Sequence, residues 1–345
     1  MTGARSLHFA LLMLAMAIVT ASACRKGKAA ENTDELNGIL FTFNLSTALD
    51  TTKAFHPTSL FVDSRESKWI TYNDGSGNNR IIRFDGNSGD SYPNSTTPLQ
   101  LHANGSLTAH AEDADGGTYF TSTAGNFSEF RLIRYKDGAF TSWDVSGISC
   151  RNIYFSRSEN KLYFVYGNQI HGISPAADFS KQENYEKVIL ELNGSPEFTQ
   201  SAFDGHNFHL ISADRYFVFD STGYALFFTP SFNDIVFSYI YATTPNVVYT
   251  IGGSSHNQIF KLHEGRWDRF PLSIANLKNI SIDQNEEIYV NVLNPVNNIG
   301  KYRDGNIEYF TYGPDKKLLI SETPVVIDSR NVKWAVVREG LVRLP

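Results

Sequence analysis

Apolar and polar residues alternate along this chain in short runs, and turn-forming residues separate one run from the next. Alternation of period two puts every second side chain on one face, so each run reads as a half-buried strand. Four turns share one signature: an Asp followed six positions later by an aromatic, as in Asp63 to Trp69, Asp113 to Tyr119, Asp283 to Tyr289 and Asp328 to Trp334. Looser copies place Tyr163, Phe208 and Tyr249 at the same point of the pattern, which makes seven aromatic anchors at gaps of 50, 44, 45, 41, 40 and 45 residues. That period matches the ~40 to 45 residues of a four-stranded propeller blade.

One unit can be written out in full. Residues 279–282, 288–292, 299–302 and 307–312 are its four strands. Between the third and fourth comes a polar residue followed by Gly, which supplies the positive φ of a tight hairpin. The same pair occurs as Asp85-Gly86, Asp137-Gly138, Thr222-Gly223, Glu264-Gly265 and Asp304-Gly305. The third unit has Gly172 and Pro175 instead and is the least regular. The seventh unit reaches Pro345 after its third strand, while Asn37-Gly38 and Phe43 reproduce a turn and a fourth strand at the other end. The expected fold is therefore all-β: a seven-bladed β-propeller of four-stranded antiparallel blades, closed by an N-terminal strand that completes the last blade. Closure removes free sheet edges, so the chain is expected to be a monomer.

The string from Asp through an aromatic to Arg83-Phe84-Asp85-Gly86, or to Arg134-Tyr135-Lys136-Asp137-Gly138, resembles the two-component-regulator propeller repeat. The resemblance spans about residues 37–345. It implies a place in the cell envelope, either as a sensor region of a hybrid histidine kinase or as a stand-alone lipoprotein of Bacteroidetes. The chain carries one ring of repeats and no kinase or DNA-binding region after Pro345, so the stand-alone form is the closer likeness.

The first residues bear on location. Arg5 precedes an apolar run from Phe9 to Val19, too short to span a bilayer and placed like the core of a signal peptide. Thr20-Ala21-Ser22-Ala23-Cys24 resembles a lipobox, which predicts a leader at 1–23, an acylated Cys24, a polar tether at 24–36 and the propeller at 37–345. The alternative is an ordinary cleavage site after Ala23 with an incidental Cys. Arg25 and Lys26 favour outer-membrane lipid as the anchor's partner, on either side of that membrane.

Composition narrows the partners. The net charge is −6 with no basic run, which excludes nucleic acid as an expected ligand. Cys150 is the one cysteine besides Cys24, so no intramolecular disulfide is expected in the folded region. No cofactor is expected. Aromatics make up 13% of the chain, but most of them fall at repeat anchors and are read as core between blades.

Chemistry is sought on the face built by the loops between second and third strands. With the units aligned on their third strands, the opening residue reads Arg80, Arg131, Gln169, Arg215, Gln258, Asn298 and Gly340. Six long polar side chains, three of them guanidinium forks, would form a rim suited to an anionic glycan or to an acidic patch on a protein. The competing reading is that strand starts beside loops are polar for solvation alone. No metal is assigned: His206 and His209 lack further ligands at suitable spacing, and His110 reads as a satisfied core residue. The sialidase-type box, a Gly-x-Ser-x-Gly elbow and HExxH are all missing, so no catalytic residue is assigned. The expected function is a non-catalytic, lipid-anchored binding or interaction module. The alternative is a carbohydrate-active enzyme, a lyase or hydrolase, with a carboxylate pair drawn from different blades.

Overall fold

The computed structural model describes residues 56–345 apart from 74–77, 87–88, 94–98, 100, 103–104, 125–128, 190–197, 213–214, 221–224, 229–235, 245–246, 254, 273–275, 294–296, 313–314, 316 and 338–339. They lie in one compact unit, Gly38–Pro345. The protein is a seven-bladed β-propeller. Six antiparallel sheets have four strands each in sequence order, beginning at His56–Val62, Ser106–Glu112, Asn152–Ser156, Gln200–Phe203, Tyr239–Thr244 and Leu277–Ile282. The seventh has three described strands, Val326–Ile327, Lys333–Val337 and Gly340–Leu344. The expected closing strand at residues 37–43, the leader and Cys24 lie outside the described residues.

Burial of apolar area between neighbouring blades holds the ring, because each sheet has two faces to cover. Trp69, Ile81 and Leu99 of blade 1 pack on Leu107, Phe120 and Ile133 of blade 2. Equivalent clusters join blades 2 and 3, 3 and 4, 4 and 5, and 5 and 6. Leu60, Ile70 and Tyr72 of blade 1 meet Trp334, Val336 and Leu341 of blade 7, which closes the circle. The innermost strands add polar ties: the Ser59 hydroxyl accepts from the Ala109 N–H at 2.8 Å, and the Tyr154 hydroxyl donates to the Ser201 carbonyl at 2.7 Å.

The repeated Asp explains the six-residue spacing. In Asp63, Asp113, Asp283 and Asp328, Oδ1 accepts the backbone N–H groups two and four residues on, at 2.8–3.0 Å. The third residue of each turn takes positive φ, at Glu66, Gly116, Glu286 and Asn331. Oδ2 then receives the polar tip of the aromatic at position six: Trp69 Nε1, Tyr119 Oη and Trp334 Nε1, each at 2.9 Å. The aromatic is thus core along its ring and a hydrogen-bond donor at its edge.

Register corrects one anchor. Phe208 packs back toward blade 3, against Tyr163, whereas the other anchors face the following blade. His209 occupies the anchor place in blade 4, because this turn is one residue shorter: Asp204 Oδ1 accepts from His206 and Asn207, and Oδ2 bonds His209 Nε2 at 2.7 Å. Two further expectations are revised. In blade 3 the third and fourth strands are joined by Ser174–Tyr185, which carries Phe179 into the core beside Trp143 and Tyr119. In blade 6 the fourth strand ends at Tyr309 instead of running to Tyr312, since Leu319 inserts there: Ile299 N–H donates to its carbonyl, and its N–H donates to Phe310. Thr311–Tyr312 then pairs outward with Lys317–Leu318.

Candidate functional site

The seven third-strand openings fall in one register. Arg80, Arg131, Gln169, Arg215, Gln258, Asn298 and Gly340 pair with Tyr72, Ser122, Tyr166, Ser212, Gly252, Val292 and Val337. Each partner lies three residues after its blade's anchor, so all seven positions share one face of the ring, at the radius of the third strand. Their exposure differs. Gln169 and Arg215 are exposed, while Arg80, Arg131 and Gln258 are half-buried. Asn298 is buried, because the Leu319–Ile320 connection lies along it and bridges it at Ile320. Gly340 is buried as well. Arg131 turns outward along its own blade, where Nε and a terminal nitrogen reach Asp144 Oδ1 at 2.9 and 2.7 Å.

A second polar register was not singled out from the sequence. The third-strand residue directly opposite the anchor is Arg83, Arg134, Lys261, Lys301 or Arg343 in five blades. Four of these cations sit over the anchor ring: Arg83 on Trp69, Arg134 on Tyr119 and Lys261 on Tyr249 at 5.5 Å, and Lys301 on Tyr289 at 5.9 Å. Arg134 also bonds Asp113. The signal was available in the sequence as the Arg that begins Arg83–Gly86 and Arg134–Gly138. Its role is structural: a cation covers a ring face in four blades, and in blade 2 Arg134 is also held by a buried carboxylate. In blade 3 the position is Gly172, where a Cβ would come within 3.0 Å of the Tyr163 ring.

The carboxylates of the Asp turns are engaged by the fold. Burial pushes the Asp283 carboxyl up, but Lys333 Nζ at 2.8 Å and the N–H groups of Glu287 and Asn285 outweigh it and hold the group below its ordinary value. Asp328 follows the same balance, with Trp334 and the N–H groups of Val332 and Arg330 opposing burial. The Cys150 thiol is buried, and burial pushes it far up, away from the thiolate a nucleophile needs. His110 bonds Thr121 Oγ1 at 2.7 Å through Nε2, and burial lowers its pKa to about 3. His209 is held between Asp204 and the Tyr216 hydroxyl, each at 2.7 Å, which uses both ring nitrogens. Among the described residues no three His, Cys, Asp or Glu side chains could hold a metal ion. No helix among them is long and apolar enough to cross a membrane.

No protein-family model matches the chain, and no curated protein matches it either. Solved structures do share the fold. A catalytically inactive virginiamycin B lyase from Staphylococcus aureus, crystallised with quinupristin, is 15% identical with a TM-score of 0.61, over 84% of this chain and 94% of that one. The extracellular domain of a hybrid two-component system from B. thetaiotaomicron is 12% identical with a TM-score of 0.58, over 84% of this chain and 38% of that one. YCF48 bound to a D1 peptide is 15% identical with a TM-score of 0.50, over 68% and 74%. At these identities the likeness is one of fold alone.

Proposed function

We propose that this protein is a non-catalytic binding module of the cell envelope whose ligand sits on the face where second strands turn into third strands. The observation that carries this is the shared register of Arg80, Arg131, Gln169, Arg215 and Gln258 on one face, with the exposed or half-buried side chains just described. Guanidinium forks and carboxamides suit a carboxylate- or sulfate-bearing ligand, an anionic glycan or an acidic patch on a protein. Arg131 would exchange Asp144, which is largely exposed, for the ligand anion. Asn298 and Gly340 take no part, since both are buried. Extracellular domains of hybrid two-component systems and a peptide-bound protein share the fold, which supports a binding role. The reading is tested with Arg80→Ala, Arg131→Ala and Arg215→Ala combined. Binding of polygalacturonate or dextran sulfate in affinity electrophoresis is expected to weaken by at least tenfold, on the order of 1.4 kcal/mol. Unchanged retardation of both polymers would reject the rim.

The fold also occurs in a virginiamycin B lyase, so it is compatible with catalysis, and the second reading is a carbohydrate-active enzyme. A rise in ultraviolet absorbance on incubation with polygalacturonate would support it over binding alone. We further propose an acylated Cys24 and attachment to outer-membrane lipid, on the strength of the Ala21-Ser22-Ala23-Cys24 pattern. Mass spectrometry of the N-terminal peptide should then find diacylglycerol on Cys24, and a free thiol there would exclude the anchor.

A further inference from the structure

Blade 5 departs from the repeat at a single turn, and a cleft lies where it does. Six residues before the anchor Tyr249 stands Thr243, at the place that Asp63, Asp113, Asp283 and Asp328 hold in their blades. Pro245 follows two residues later, and proline has no N–H to give an Asp at that position. The Thr243 hydroxyl instead donates to the Val247 carbonyl at 3.3 Å, and Tyr249 takes its hydrogen bond from Lys261, which is itself paired with Glu286 at 2.8 Å. Blade 3 also lacks the Asp, but there Glu159 accepts from the Tyr163 hydroxyl and restores a carboxylate to the turn. Blade 5 has no such replacement in its described turn residues.

The cleft has a volume of about 350 Å³. Tyr241, Thr243, Thr244 and Tyr249 form one wall, Asp283, Gln284 and Glu286 of blade 6 the second, and Ile327 and Asp328 of blade 7 the far end. It lies on the Asp-turn face, opposite the third-strand rim. Its size is at the lower end for small-molecule sites and suits one or two sugar rings. Thr243, Thr244, Gln284 and Glu286 are exposed at the opening, where the Gln284 amide donates to the Ser329 carbonyl at 3.3 Å and the Glu286 carboxylate is paired with Lys261. Two hydroxyls, the Gln284 carbonyl oxygen and the acceptor capacity left on the carboxylate are thus the groups a ligand would meet. Tyr241 adds a half-buried aromatic ring. The three carboxylates of the lining are each matched by a cation, Asp283 by Lys333 and Glu286 by Lys261 at 2.8 Å and Asp328 by Arg330 at 3.7 Å, so the cleft offers an ionic ligand little net charge to pair with. The walls at the opening are turns, which give a peptide no strand edge to extend.

We propose that this cleft is a second binding site, independent of the rim, for an uncharged saccharide. The ring would stack on Tyr241 while its hydroxyls pair with Thr243, Thr244, Gln284 and Glu286. Turn residues that hold the blade elsewhere are replaced here by groups that leave room for a ligand and offer it hydrogen bonds.

The test is saturation-transfer NMR and titration calorimetry on the whole chain, with cellobiose, maltose and lactose as uncharged probes and digalacturonate as the anionic one. At least one uncharged disaccharide should receive saturation, with digalacturonate receiving little. Thr244→Trp, which obstructs the opening, and Gln284→Ala, which removes a polar partner, should each weaken binding by roughly tenfold. The combined variant Gln169→Ala and Arg215→Ala, on the opposite face, should leave it unchanged. Thermal melting checks that each variant is folded, and Gln284→Ala, at an exposed turn, serves if Thr244→Trp is not. No transfer to any uncharged probe, a preference for digalacturonate, or full affinity in folded cleft variants would overturn the proposal. Loss in the rim variant alone would move the site to the other face and overturn it too.

Discussion

Asp113→Ala is expected to cost about 3–5 kcal/mol of unfolding free energy, read as a lower urea midpoint with an unchanged slope. The carboxylate is buried and accepts from four donors: the N–H groups of Asp115 and Gly117, the Tyr119 hydroxyl and the Arg134 guanidinium. Alanine leaves the turn's N–H groups and the phenol without an acceptor, and it strips Arg134 of its opposing charge. Asp113→Asn keeps one carbonyl oxygen for the backbone pair and should cost less than half as much. If alanine and asparagine proved equally mild, the turn would not depend on this side chain. Conversely, Asp144→Ala removes a carboxylate that is largely exposed, and its effect should stay within ~0.5 kcal/mol.

The second large effect lies in blade 4. Burial raises the Asp204 carboxyl, but His209 and the N–H groups of Asn207 and His206 overcome it and bring the pKa to about 2. A carboxyl that titrates near 3.9 in the unfolded chain and near 2 when folded contributes stability that is complete above about pH 5. That contribution, about 2 kcal/mol, should be lost as the pH falls from ~4 toward ~2. His209→Phe supplies the ring that other blades have at this place, yet it removes the partner of Asp204 Oδ2 and leaves the Tyr216 hydroxyl without its nitrogen acceptor. The variant is expected to be about 2–3 kcal/mol less stable at pH 7. Its Asp204 should also titrate closer to the unfolded value, so the acid-dependent part should shrink. Urea titrations of both proteins at pH 7, 5, 4 and 3 check this, and parallel pH curves would refute the linkage.

Both predictions concern groups whose roles could be only half read from the spacing. Asp and an aromatic six apart identified the turn and the core, because a short Asx turn and a period-two strand leave a local imprint. The bond from the ring's polar tip back to Oδ2 forms in three of these turns, whereas Asp283 Oδ2 accepts from Lys333 and Asn331 and the Tyr289 hydroxyl donates to Glu287. What spacing could not supply is which way a side chain faces when one residue is lost from a turn. Phe208 was aligned with the other anchors on its aromatic character, yet the shorter Asp204 turn moves His209 into that place and turns Phe208 toward blade 3. A one-residue slip reverses every side chain in a strand, so residue type misleads there.

The candidate rim shows the same division. Aligning third strands by sequence placed its seven positions correctly, since antiparallel register after a short hairpin is a local property. Exposure was not local. Asn298 is covered by Leu319 and Ile320, some twenty residues further along, and Arg131 is drawn to Asp144 on the neighbouring strand. The cleft beside Thr243 is further from sequence reach, because its walls come from three blades. The sequence by itself determined the period, the seven-blade count and the turn chemistry. Each of these depends on residues within a few positions of one another. Only the tertiary structure decided which polar groups are open to a ligand, because packing between blades and the paths of the connections bring distant residues together.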